Sequence, residues 1–104
     1  MDFTSLVKQR DLSQSIICAR QAVELIPNAT NTLARGPLNW VQGVAPSFLK
    51  RAEGAYVYDV DENRYIDFAI GLGPVLLGYN HPVVTNAVMR QLEEGNLFSL
   101  SNIR

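Results

Sequence analysis

What the chain has least of is nucleophilic and metal-binding side chains: one cysteine, one histidine and two lysines. Cys18, without a second thiol, excludes an internal disulfide and points to a reducing compartment, so the cytoplasm is the expected location. Its neighbours Ile16, Ile17 and Ala19 favour a buried, inert thiol. His81, standing alone, excludes a metal centre of several His and Cys ligands. No apolar run approaches the ~20 residues of a membrane span, and the N-terminus lacks the basic-then-apolar layout of a secretion signal. Asn28-Ala29-Thr30 matches a glycosylation sequon, which without secretion is a coincidence. Nine basic residues are scattered among ten acidic ones, for a net charge of −1. Neither nucleic acid nor an anionic membrane finds the clustered Lys and Arg that it requires.

What is present is globular in composition, 47% hydrophobic and 18% charged, with room for one small domain and a modest core. From Leu12 to Ile26, apolar residues recur at Leu12, Ile16, Ala19, Val23 and Ile26, the steps of four and three that line one helix face. Asp11 or Ser13 is expected to cap this helix and Pro27 to end it. A further helical turn is expected around Phe3 and Leu6. Residues 27–47, with Pro27, Gly36, Pro37, Gly43 and Pro46, have loop composition, and a loop that long usually has a function. Trp40 within it is expected to pack against a neighbour.

The period then changes from helix to strand. Phe48–Arg51, Ala55–Asp59 and Arg64–Phe68 read as short strands separated by Gly54 and by Asp61-Glu62-Asn63. Tyr56 and Tyr58 take one face and Val57 the other; Tyr65 and Asp67 alternate with Ile66 and Phe68. After a glycine-punctuated apolar stretch, Pro82 suits the first position of a second helix, with His81 or Asn80 as its cap. That helix is expected to run to about Glu94 with Val84, Ala87, Val88 and Leu92 toward a core, and to stop at Gly95 in a left-handed cap. The fold class is therefore α+β: an N-terminal helix, a small antiparallel three-stranded meander, then a helix.

Three ligand motifs fail on inspection. Asp59-Val60-Asp61-Glu62-Asn63 opens like a calcium loop, but Arg64 and Ile70 stand where glycine and a bidentate glutamate are needed; the acidic cluster reads as a solvated turn. Gly73 and Gly78 have the gap of a phosphate loop, but Tyr79 and Asn80 replace its Lys and Ser/Thr. Gly71 and Gly73 lack the third glycine of a dinucleotide site, since Leu76 occupies it. Arg35, in a loop rich in Gly, Pro and Asn, is either a solvated arginine or a fork for a carboxylate.

The run Arg51-Ala-Glu-Gly-Ala-Tyr-Val-Tyr-Asp-Val-Asp-Glu-Asn-Arg-Tyr-Ile-Asp-Phe68, followed by Gly71-Leu-Gly-Pro-Val-Leu-Leu-Gly-Tyr-Asn-His-Pro82, resembles the N-terminal region of class III aminotransferases, which depend on pyridoxal phosphate. Ile26-Pro27, Arg35, Gly73-Pro74 and the segment Gly95 to Phe98 resemble the aminomutase branch, the glutamate-1-semialdehyde 2,1-aminomutases, more closely. The likeness extends from about residue 15 to the end. It implies the N-terminal portion of a fold-type I transferase, with residues 1–104 a small-domain segment and the large cofactor domain absent. It also implies a homodimer with active sites at the subunit boundary. On this resemblance Arg35 matches the arginine that holds the substrate carboxylate, Thr32 the small hydroxyl residue beside it, and Leu72 a pocket-lining position that is usually tryptophan. Asn28-Ala29 and Leu33 also replace the family's Gly-Gly and Pro, so a substrate other than glutamate semialdehyde is equally open.

The resemblance carries no catalytic residue onto this chain. Family members hold the cofactor aldehyde on a lysine; Lys8 precedes the likeness and Lys50 opens the hairpin. The stacking residue and phosphate loop are expected beyond residue 104, and no covalent cofactor is expected here. The chain alone is then expected to be inactive. Two other readings remain: a non-catalytic interaction module that docks on a full-length aminotransferase subunit, through faces left apolar, and an unrelated small α+β domain.

Overall fold

Helix α1, Ser13–Leu25, forms where the 3.6-residue period predicts it and ends at Ile26, whose extended backbone leads into Pro27. A computed structural model describes residues 10–36, 39–41, 43–101 and 103; the turn expected around Phe3 and Leu6, together with Lys8 and Pro37, lies outside them. The described residues between 27 and 47 form neither α-helix nor strand, and include 3-10 turns at Pro27–Ala29 and Leu33–Arg35. Strands β1 (Leu49–Glu53), β2 (Tyr56–Asp59) and β3 (Arg64–Ile66) form an antiparallel sheet in the order β1-β2-β3. Helix α2, Pro82–Glu94, has proline at its first position, where the missing N–H costs no hydrogen bond.

Register sorts the side chains of the sheet. Val57 pairs across with Ala52 and with Tyr65, and with Asp59 two residues on they form the inner face, where Val57 is 5% exposed and Asp59 0%. The outer face stacks cations on rings: the Arg51 guanidinium lies 3.4 Å from the Tyr58 centroid and that of Arg64 4.8 Å from Tyr56. Ile66 and Phe68 are exposed.

The acidic turn is not merely solvated, as its composition suggested. Asp59 Oδ1 accepts the backbone N–H groups of Asp61 (3.0 Å) and Asn63 (2.8 Å), while Oδ2 accepts Asn63 Nδ2 (2.9 Å) and the Tyr65 hydroxyl (2.8 Å). Burial, then that bond to a carboxylate, pushes the Tyr65 phenol up to about 12. Asp61 reaches across to α1: Oδ1 accepts the N–H of Gln14 (2.6 Å), and Oδ2 accepts the N–H (2.9 Å) and hydroxyl (2.6 Å) of Ser15. Helix α1 is therefore capped by a residue far away in sequence. Of the two expected caps, Asp11 contributes one bond, from the Ser13 N–H (2.9 Å), and Ser13 lies inside the helix. Asn63 Nδ2 donates to the Asp11 carbonyl (2.7 Å) and Arg10 lies 4.4 Å from the Tyr65 ring centroid, completing a polar clamp between helix and hairpin.

That clamp decides which way α1 faces. Its buried residues are Ser15 and Ala22, whereas Ile16 and Val23, expected inward, are exposed, Val23 to 70%. No residue of α2 is buried, so Val84, Ala87, Val88 and Leu92 do not face a core either. Hydrophobic spacing reveals that a face exists, and not what covers it. Ala22, Ala29 and Val57 are the buried apolar residues among those described. The radius of gyration, 17.5 Å, exceeds the roughly 13 Å of a compact chain of this length. Gly95 stops α2 with a positive φ, but its φ of 101° and ψ of 150° lie outside the left-handed helical region, and Gln91 Nε2 donates to its carbonyl (2.8 Å).

Asp61 generates a pH prediction. Partial desolvation, the largest influence, favours its neutral form, but the bonds from Ser15 and Gln14 outweigh it and hold the carboxyl below its ordinary value of 3.8. A depressed acid stabilises the fold above its unfolded pKa, and that contribution disappears as pH falls through the folded value. Loss of α1 helicity in circular dichroism is expected below pH 3.8, while Asp61→Ala is expected to lose the same helicity already at pH 7.

Candidate functional site

The segment that follows β3 builds one side of a cleft, and a run of unusual backbone builds the segment. Ile70, Gly71, Leu72 and Gly73 have φ of 44°, 64°, 68° and 111°. Glycine adopts such angles freely; at Ile70 and Leu72 each costs of order 1–2 kcal/mol. Backbone bonds tie the turn internally, from Leu72 N–H to the Ala69 carbonyl (2.8 Å) and from Gly73 and Val75 N–H to the Ile70 carbonyl (3.1 and 3.2 Å).

Asp67 sits at the root of this turn. Its Oδ1 accepts the Ala69 N–H (2.8 Å) and its Oδ2 the Tyr79 hydroxyl (2.5 Å). Desolvation works to raise the Asp67 pKa, but the Tyr79 hydroxyl and the amides of Ala69, Ile70 and Gly71 hold it below the usual carboxylate value. The same bond pushes the Tyr79 phenol up, and burial adds to the rise. Tyr79 is fixed through its backbone as well: it exchanges hydrogen bonds with Gly54 in the β1–β2 turn (2.9 and 2.8 Å). Gly78 makes that approach possible, because a Cβ there would lie 3.0 Å from the Gly54 carbonyl oxygen. Between these elements opens a cleft of about 350 Å³, lined by Asp67 and Tyr79 together with Ile70, Val75, Leu76 and Leu77.

The three residues singled out by resemblance fall into two groups. Thr32 and Arg35 belong to one turn: the Arg35 N–H donates to the Thr32 carbonyl (3.1 Å), which also accepts the Thr30 hydroxyl (2.8 Å). Both side chains are exposed. Leu72, 60% exposed, lies in the strained turn. None of the three lines the Asp67–Tyr79 cleft; a Cβ at Gly71, the neighbour of Leu72, would lie 3.6 Å from the Tyr79 hydroxyl. His81 occupies the cap position of α2 but caps with no side-chain bond, and its Nδ1 is buried without a hydrogen-bond partner. Lys50 is paired with Glu62 on the hairpin and is no part of the cleft.

Asp67 and Tyr79 escaped the sequence reading. A usable signal for Asp67 was its place two residues ahead of a glycine-rich turn, where aspartate bonds to the backbone it precedes. Nothing local marks Tyr79. No helix among the described residues is long and apolar enough to cross a membrane.

Comparison with known proteins bears on this geometry. A family model described as aminotransferase class-III matches residues 39–103. The chain is 43% identical over 88 residues to a glutamate-1-semialdehyde 2,1-aminomutase of Chloroflexus aggregans, covering 83% of this chain and 19% of that protein. Among solved structures it is similar to the FumI protein of a Sphingopyxis species in its PLP internal aldimine form, with TM-score 0.75 and 27% identity over 88% of this chain and 22% of the other. It is also similar to a glutamate-1-semialdehyde aminomutase from Pseudomonas aeruginosa, with TM-score 0.53 and 30% identity over 91% and 24%. The chain thus spans about a fifth of the length of the relatives it matches.

Gly78 supplies the prediction here. Gly78→Ala is expected to destabilise the fold by about 1–3 kcal/mol, because Cβ meets the Gly54 backbone at a φ of +85°; denaturant unfolding measures it.

Proposed function

The chain belongs to the class III aminotransferases, and from that premise we propose that it is the N-terminal, small-domain segment of a homodimeric subunit that transfers amino groups with pyridoxal phosphate. The observation that carries this reading is the family match across the meander, the strained turn and α2, supported by 43% identity to an aminomutase. Arg35 binds the substrate carboxylate, since its guanidinium is exposed and presents a planar fork. Thr32 supports it from the same turn, and Leu72, which lies outside the Asp67–Tyr79 cleft, offers an apolar surface to the substrate in the complete subunit. The cytoplasm is the proposed location. Where the aminomutases place a tryptophan, Leu72 leaves more room, which favours amine substrates bulkier than glutamate semialdehyde.

Pyridoxal phosphate is the cofactor of this family, and the described residues do not fit its covalent attachment. Lys50 is committed to Glu62, and the cleft is lined by a carboxylate and a phenol without a lysine. A carboxylate in the lining opposes a phosphate group. Chemistry at the cofactor therefore belongs to the remainder of such a subunit, while this segment supplies substrate contacts. A second reading, a non-catalytic module that docks on a full-length relative, is favoured by the exposed apolar residues of α1 and α2. Sedimentation with such a relative tests it: no complex at micromolar concentration removes it.

Two measurements test the main reading. Titration of the 104-residue chain with pyridoxal phosphate is expected to give no aldimine absorbance band. In a complete subunit carrying this segment, Arg35→Gln is expected to raise KM for a carboxylate substrate by about tenfold or more. Equal KM for the variant and the parent sinks the carboxylate role.

A further inference from the structure

The strain at Ile70 and Leu72 requires an explanation that the proposed function does not provide. Residues in sparsely populated backbone regions persist where surrounding contacts over-determine them, and such places concentrate at ligand sites. Here φ stays positive from Ile70 through Gly73, although isoleucine and leucine disfavour it. Beside the internal backbone bonds of the turn, one carboxylate ties it to the end of β3. Asp67 accepts from the Ala69 N–H and from the Tyr79 hydroxyl, and the amides of Ile70 and Gly71 also act on it. An aspartate that accepts the N–H two residues on pins the turn that it precedes. With these donors around it, the carboxylate is largely committed to the protein and has little capacity left for a ligand.

We propose that Asp67 is a positioning residue of the substrate pocket: its carboxylate holds the turn Ile70–Gly73 in left-handed backbone and so fixes where Leu72 stands. The inference rests on the reading of Leu72 as a pocket residue. Tyr79 completes the device. Its hydroxyl bonds to Asp67, its backbone is paired with Gly54, and the turn is thereby anchored to the sheet rather than to its own loop.

Amide hydrogen exchange on the isotopically labelled chain tests this, with Gly73 and Val75 as reporters because both donate to the Ile70 carbonyl. Asp67→Asn is expected to accelerate their exchange by about tenfold or more. In a Leu72→Gly background, where residue 72 takes a positive φ without strain, the same substitution is expected to accelerate it by less than about threefold. A general structural role for Asp67 predicts equal acceleration in both backgrounds, and that result overturns the proposal, as does unchanged exchange in Asp67→Asn. Should Asp67→Asn fail to fold, Tyr79→Phe removes one bond of the same device. Its acceleration, and the reduction of it by Leu72→Gly, then decide in the same way. Leu72→Trp leaves Asp67 and Tyr79 intact and alters the pocket. An unchanged substrate preference of the complete subunit would count against the functional reading alone, so the two can fail separately.

Discussion

Two carboxylates in one hairpin turn hold this segment together. Asp59, fully buried, organises the turn by accepting from Asp61, Asn63 and Tyr65, which is what allows burial of a charged group. The shaped turn then presents Asp61 to the first two free amides at the start of α1, where the helix dipole also favours a negative charge. Polar bonding, more than apolar packing, determines how α1 meets the sheet. The proximity of Asn63 to Asp11 and of Arg10 to Tyr65 follows from that orientation.

A second aspartate repeats the principle at the other end of the meander. Asp67 closes β3 as Asp59 closes β2, and each folds the following residues back over its own oxygens. The first arrangement recruits a helix, the second a cleft. Asp61 at the helix and Asp67 at the cleft are both held below the ordinary carboxylate value by hydrogen bonds, so acid acts on helix docking and on the cleft together.

Much of this could be read from residues whose signals are local. Pro82 and Glu94-Gly95 bracket α2 because proline tolerates the first helical position and a positive φ favours glycine at the end. The meander was legible because Val57 and Tyr65 alternate with outward residues and Gly54 supplies a positive φ between strands. The capping of Ser15 by Asp61 was not, because the partners are 46 residues apart and either is unremarkable alone. The inward face of α1 was misjudged for the same reason: the spacing of Ile16 and Val23 is indifferent to a distant carboxylate. At the candidate site, Arg35 and Leu72 were found through resemblance, whereas the Asp67–Tyr79 bond depends on a chain reversal that no local pattern encodes.

The outer strands of the sheet have a consequence of their own. A three-stranded sheet offers two unpaired margins, and such margins recruit other chains into ribbons. Here β3 has only three residues, and the pairing of β1 slips between Leu49 and Arg51. Lys50 and Arg51 beside Glu62, and Arg64 over Tyr56, add bulk along the two borders. Two copies meeting side by side would find short, broken ladders and long charged side chains in the way, so the sheet remains a discrete unit.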